Sequence, residues 1–198
     1  MSEETPFRIA LITAFAVFLT VMLNFRIRSW ASKEKLDRMQ EGLFILVALR
    51  LAGLALWLAV FAYMIDPGWM TWSSIALPFW ARWLGVLLYA ASIALLVWTL
   101  RNLGTNLTDT VVTRREHTLV TEGLYRWVRH PFYGTVALVI LANAILAANW
   151  FFLLSGAAVL GLLALRTRIE EGRLIARFGD AYRTYMSKTG RFVPRWRS

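Results

Sequence analysis

Residues 131–165 read PFYGTVALVILANAILAANWFFLLSGAAVLGLLAL, two apolar runs parted only by Ala148 and Asn149. The first, Pro131 to about Ala147, and the second, Trp150 to about Leu165, fall within or just below the ~17–25 residues of a membrane-crossing helix. A two-residue link leaves the chain no route except straight back, so the pair should form a tight antiparallel helical hairpin. Spans this short belong in the interior of a bundle.

Working outward, three more apolar runs precede the hairpin: Ile9 to Phe25, Leu43 to Ile65, and Arg82 to Leu100. The chain has 198 residues, is 58% apolar and carries ten tryptophans. Its mean hydropathy is +0.53. A soluble protein of this size would strand much of that surface in water. The expected fold is therefore all-α: an integral membrane protein of about five transmembrane helices with a C-terminal cytoplasmic helical tail. The first run carries Glu3 and Glu4 ahead of it and has no small-residue cleavage site after it, so it reads as an uncleaved anchor.

Charge placement predicts the orientation. The net charge is +10, and lysines and arginines fall in three groups: five from Arg26 to Arg38, five from Arg101 to Arg129, and nine from Arg166 to Arg197. Asp66 to Ala81 has none, nor has the hairpin link. The positive-inside rule puts the basic groups in the cytoplasm and the N-terminus outside, with Trp69, Trp72 and Trp80 in an outer aromatic belt. Apolar spans between the basic groups make a membrane surface, rather than nucleic acid, the partner of that charge. Arg82 reads as interfacial and snorkelling, and Arg50 admits either a partner in the bundle or a lipid headgroup. Asn106 begins a glycosylation sequon on the predicted cytoplasmic side, where modification is not expected.

The absence of cysteine removes disulfides, thiolate metal sites and cysteine nucleophiles. Two histidines are too few for a typical zinc site without nearby carboxylates, and no metal is expected. There is no phosphate loop, dinucleotide glycine pattern or nucleophile elbow. The chemistry-bearing residues gather instead in the polar run His117–Gly134, HTLVTEGLYRWVRHPFYG, and in Arg166, Glu170 and Glu171. Pro131 suits the first turn of a helix, which places His130 near its cap beside the positive helix end, where anions are attracted. Gly123 reads as a turn before Tyr125. Arg166 and Glu170 share one helix face, and the short hairpin should bring them close to His130 and Tyr133. Each feature also has a plain reading: a helix ion pair, an interfacial histidine cap, belt tyrosines, solvated tail arginines. Periodicity and charge alone yield a cytoplasm-facing polar pocket on a helical membrane protein.

Three elements together carry a resemblance: Gly123-x-Tyr125-x-x-x-Arg129-His130-Pro131-x-Tyr133, the pair Glu170-Glu171, and Phe178-Gly179-x-x-Tyr182-x-x-Tyr185. From roughly Leu103 to Pro194 the chain resembles the isoprenylcysteine carboxyl methyltransferase family, related to phospholipid N-methyltransferases. The resemblance implies S-adenosyl-L-methionine as cofactor, contacted by His117, Thr118, Leu119, Val120, Tyr125, His130, Pro131, Phe132, Tyr133 and Glu170. It implies Arg166 as the catalytic, substrate-orienting residue. Phe132 stands where eukaryotic relatives often have a small polar residue, and the loop Thr105–Glu116 differs from theirs. The implied layout is one domain over residues 1–198, with 1–100 supplying three spans and 101–198 the cofactor-binding and catalytic core. So short a chain resembles the prokaryotic members, implying an inner (plasma) membrane enzyme with its site facing the cytoplasm. A lipophilic substrate would enter from the bilayer, with no nucleic acid and no obligate protein partner. A phospholipid or small-molecule N-methyltransferase, an NADPH-dependent sterol-type reductase sharing Arg-His-Pro-x-Tyr, and a non-catalytic membrane protein remain open. Asp180, after Gly179, should cap a last helix, and the tail should lie on the membrane surface and help cover the cofactor.

Overall fold

The computed structural model describes residues 3–30, 42–103 and 119–195. Its helices are α1 (Thr5–Trp30), α2 (Leu43–Ile65), α3 (Phe79–Leu103), α4 (Pro131–Leu146), α5 (Trp150–Phe178) and α6 (Asp180–Lys188), with short 3-10 turns at Pro67–Ser73 and Gly123–Arg126. Four of them, α1, α2, α3 and α5, are long and apolar enough to cross a membrane, and α4 is a shorter apolar helix of 16 residues. The expected second and fourth spans match α2 and α4 nearly residue for residue. The fifth was expected to stop near Leu165, but α5 continues unbroken to Phe178. Arginine and glutamate are good helix formers, so the helix has no reason to end where its apolar character does.

α4 lies between α3 and α5 because glycines let it approach both. A Cβ on Gly85 would sit 2.9 Å from the Leu146 nitrogen and 3.0 Å from the Ala142 oxygen, and one on Gly156 would sit 2.1 Å from Ile140. Small residues at helix contacts are how membrane helices gain packing where lipid offers no hydrophobic drive. The link between α4 and α5 is pinned as well. Buried Asn149 caps α5 by accepting from the Phe151 N–H (3.0 Å), while its amide donates to the Met70 carbonyl (3.1 Å) and Ser73 Oγ (2.8 Å). Ala148 takes the left-handed conformation that so short a reversal requires (φ 46°).

The start of α1, the end of α2, the start of α3 and the end of α4 meet at one pole of the bundle. Arg82 is the hub there. Its guanidinium donates to both Glu4 carboxylate oxygens (2.7 Å each), to the Tyr63 hydroxyl (3.0 Å) and to the Leu146 carbonyl (2.8 and 3.0 Å), and lies 3.8 Å over the Phe7 ring. This corrects the snorkelling expectation: Arg82 is 7% exposed. Every strong donor finds an acceptor inside the bundle, and one of those acceptors is a free carbonyl at a helix end, which needs a donor in any case. Arg8 caps α2 in the same way, donating to the Met64 and Ile65 carbonyls. Arg50 is exposed.

Hydrogen bonding from Arg82 holds the Glu4 carboxyl below its usual range, with burial acting against it. A lowered folded pKa stabilises the fold above the unfolded value, near 4.3 for Glu, and that contribution disappears as pH falls through the folded value. Arg82→Ala should cost about 2–3 kcal/mol, since it strands a half-buried carboxylate and a helix-end carbonyl, lowering the melting temperature in detergent by about 5–10 °C. Glu4→Gln should lower the melting temperature at neutral pH and flatten the further loss that wild type shows when taken below about pH 4. Identical acid profiles for Glu4→Gln and wild type would remove Glu4 from this role.

Candidate active site

The opposite pole carries the polar run. Gly123 (φ 58°) opens the 3-10 turn Gly123–Arg126, and a Cβ there would fall 2.0 Å from Asn102 Nδ2, so both conformation and space require glycine. The turn presents Tyr125 inward, where it is 9% exposed, and its carbonyl accepts from the Tyr185 hydroxyl of α6 (2.6 Å). Burial pushes the Tyr125 phenol up and the Tyr185 phenol up to about 12, so both stay neutral across the physiological range.

His130 is the N-cap residue of α4 and Pro131 its first residue; no side chain caps this helix end. This is the positive end of the helix, although Pro131 has no N–H and the Tyr133 N–H donates to the His130 carbonyl (3.2 Å). His130 is buried and its ring stacks on Tyr133 one turn later, centroids 5.5 Å apart and planes within 4°. The Tyr133 hydroxyl donates to Glu170 Oε2 (3.1 Å), and His130 Nδ1 lies 3.9 Å from the same oxygen. Arg166, half-buried, stands one turn before Glu170 on α5.

Glu171 organises the whole arrangement. Its carboxylate is 3% exposed. It accepts from Arg129 Nε (2.8 Å) and from Arg191 (2.5 and 3.3 Å), and it lies 3.3 Å from His130 Nε2. A carboxylate at Nε2 favours the tautomer with its proton there, which fixes the ring. Arg129 also donates to the Met186 and Thr189 carbonyls, tying α6 to the polar run.

The chain then returns. After α6, Thr189–Arg195 forms a strap alongside residues 127–130, with Val128 and Gly190 paired as a parallel bridge. The Arg129 N–H donates to the Gly190 carbonyl (2.9 Å), the His130 N–H to Arg191 (3.1 Å), and the Gly190 N–H to Trp127 (3.2 Å). Gly179 (φ 54°) supplies the break before α6, as expected. Asp180 is not the cap, however; it occupies the first helical position and faces Arg183 at 3.7 Å.

Of the sequence-derived residues, Tyr125 lies on the turn, His130, Pro131, Phe132 and Tyr133 at the start of α4, and Arg166 and Glu170 in the second half of α5. Leu119 and Val120 are half-buried just ahead of the turn. His117 and Thr118, and the loop Thr105–Glu116, fall outside the described residues. Sequence reasoning assigned no role to Glu171, Arg129, Arg191 or Phe192. The available signal was the pair Glu170-Glu171, two of only three carboxylates from Arg166 to Arg197, a stretch with nine cations.

Residues 83–176, which include the polar run, Arg166 and both glutamates, match the isoprenylcysteine carboxyl methyltransferase family. Over that stretch, just under half of its length, the chain is similar to members of that family. Protein-S-isoprenylcysteine O-methyltransferase of Schizosaccharomyces pombe is 35% identical over 81 residues, covering 40% of this chain and 34% of that protein. Methanethiol S-methyltransferase of Mycobacterium tuberculosis is 32% identical over 71 residues, covering 36% of this chain and 28% of that protein. The chain thus spans about a third of the length of these curated relatives. In fold it is similar to a eukaryotic intramembrane Ras methyltransferase, with a TM-score of 0.53 at 19% identity over 93% of this chain and 67% of that one. Apolar helices and this fold together make the chain an integral membrane protein.

Glu171→Gln removes the charge that Arg129 and Arg191 share. Hydrogen bonds to a charged group contribute about 1.5–3 kcal/mol, so proteolytic cleavage after Arg191 should accelerate on the order of tenfold as the strap opens. An unchanged cleavage rate in folded protein would mean that backbone pairing alone holds the strap.

Proposed function

We propose that this chain is an S-adenosylmethionine-dependent methyltransferase of the membrane, acting on an anionic acceptor, foremost the carboxylate of a lipophilic, isoprenylcysteine-like molecule. The observation that carries the reading is the convergence of Tyr133, His130 and Glu170 on the uncapped N-terminus of α4, one helical turn from Arg166. The donor set suits this methyl donor, which carries a sulfonium and an ammonium cation together with a carboxylate. Aromatic rings and the Glu170 carboxylate favour the cations, and the open helix end favours the carboxylate. When bound, the donor supplies an electrophilic methyl group.

The remaining work falls to the chain. Tyr133 donates to Glu170 and fixes the direction of its carboxylate. Arg166, beside them, would hold an acceptor carboxylate through both oxygens, as the planar guanidinium allows. A carboxylate is ionised at neutral pH, so no general base is needed. Alignment and the exclusion of water by the strap and the rings then supply the catalysis. In this reading His117, Thr118, Leu119, Val120, Tyr125, Pro131 and Phe132 line the donor site. The site faces the cytoplasm of a plasma membrane and the acceptor enters from the bilayer. A thiolate, the acceptor chemistry in the name of the mycobacterial relative, is also an anion and would suit Arg166; a neutral amine would gain nothing from it.

The test is calorimetry of S-adenosylhomocysteine against detergent-purified protein, followed by labelled methyl transfer to an S-farnesylated cysteine derivative and to a short thiol. Transfer to the farnesylated carboxylate supports the proposal, and transfer to the thiol alone reassigns the acceptor. Binding of NADPH in place of S-adenosylhomocysteine overturns the reading. Arg166→Lys keeps charge but loses the fork, so turnover should fall on the order of 30–100-fold, the loss expected for one charge-assisted pair. Donor affinity should stay within about twofold, because Arg166 addresses the acceptor. Wild-type turnover in that variant would exclude the clamp.

A further inference from the structure

Phe192 lies beyond residues 83–176, outside the stretch that matches the family, and its setting is unusual. The chain on either side of it is tied down. Gly190 turns so tightly that a Cβ there would lie 1.7 Å from the Val193 carbonyl oxygen. Backbone pairing fixes Gly190 and Arg191 against Arg129 and His130, and Arg191 is held by Glu171. The Phe192 ring is thereby set 5.9 Å from His130 and 6.2 Å from Tyr133. With the 5.5 Å between His130 and Tyr133, the three centroids form a nearly equilateral triangle. Yet Phe192 remains 39% exposed. An apolar anchor would be buried; this ring is held rigidly with part of its surface open, next to the Tyr133–Glu170 pair.

Resting on the methyl-transfer reading, we propose that Phe192 contacts the donor and, with His130 and Tyr133, presents π-electron surface to its sulfonium. Methyl transfer breaks the sulfur–methyl bond, leaves the electron pair on sulfur and forms the oxygen–methyl bond. A sulfonium cation and a carboxylate anion become a neutral thioether and a neutral ester. The attraction between cation and ring therefore exists for the donor and vanishes for the product. Phe192 makes the site discriminate the two forms of its cofactor by charge, favouring loading of fresh donor and release of spent product.

The experiment is calorimetry of S-adenosylmethionine and S-adenosylhomocysteine with the full chain in detergent, comparing wild type, Phe192→Leu and Phe192→Trp. Phe192→Leu should weaken S-adenosylmethionine about two- to tenfold, the range of a partly desolvated cation–π contact, and S-adenosylhomocysteine by less than about half that factor. Phe192→Trp should restore the wild-type ratio or exceed it. Incorporating mono-, di- and trifluorinated phenylalanine at position 192 keeps the shape while draining the ring face, and donor affinity should fall stepwise as product affinity holds. Parallel weakening of both ligands, or a constant ratio across the fluorinated series, would overturn the proposal and leave Phe192 a packing residue. If wild type bound neither ligand, the methyl-transfer reading itself would fall, an outcome distinct from the others.

Discussion

Everything at the working pole depends on one buried carboxylate. Glu171 is surrounded by Arg129, Arg191 and His130, which come from the polar run and from the returning strap, while the carboxylate itself is carried by α5. A lone buried carboxylate would be expensive, and a lone buried arginine equally so. Neither can be accommodated until the strap has returned and the polar run has settled against α5. The ion cluster therefore acts as an assembly condition, since three distant segments must be together before the buried Glu171 carboxylate has its full set of partners. His130 gains its orientation from that cluster, and Tyr133 and Phe192 take their positions from His130.

The two poles solve the same electrostatic problem with opposite emphasis. At one, Arg82 is surrounded by a carboxylate, a phenol and a helix-end carbonyl, and the result closes the bundle. At the other, Glu171 is saturated while its neighbour Glu170 accepts from Tyr133 and stays half-buried. Adjacent glutamates on one helix point in different directions, so one can serve the scaffold while the other faces the open helix end of α4. That division lets the same six-residue stretch, Arg166 to Glu171, hold the fold together and leave a carboxylate facing the start of α4.

Much of this was legible in the chain. Apolar runs located α1 to α5, though not the full length of α5, and the two-residue link at Ala148 and Asn149 dictated the hairpin. Pro131 marked the start of α4, and Gly123 and Gly179 marked the turns. Convergence of His130, Tyr133 and Glu170 followed from the hairpin geometry and the helical repeat. What could not be read were partnerships across long separations. Arg82 looks like a snorkelling residue until Glu4, seventy-eight positions earlier, is known to reach it. Arg191 looks like one more solvated cation in a basic tail, and Arg129 like one charge of a polar run, until the strap brings both to Glu171. Charge counts identify sides of a membrane, but they carry no information about which single carboxylate a given arginine will find.

The shortness of α4 has a consequence for where the chemistry sits. Sixteen residues of helix extend about 24 Å, whereas the hydrocarbon core of a bilayer is about 30 Å thick. In a bilayer crossed by this bundle, a Leu146 end placed at one interface would leave the start of α4 recessed by about 6 Å below the plane of the other. The mismatch draws the surrounding lipid inward. Under the methyl-transfer reading, the polar end of a lipid-anchored acceptor would meet that helix start while its hydrocarbon chain stays among the acyl tails, so bilayer thickness itself would set how readily the site is reached.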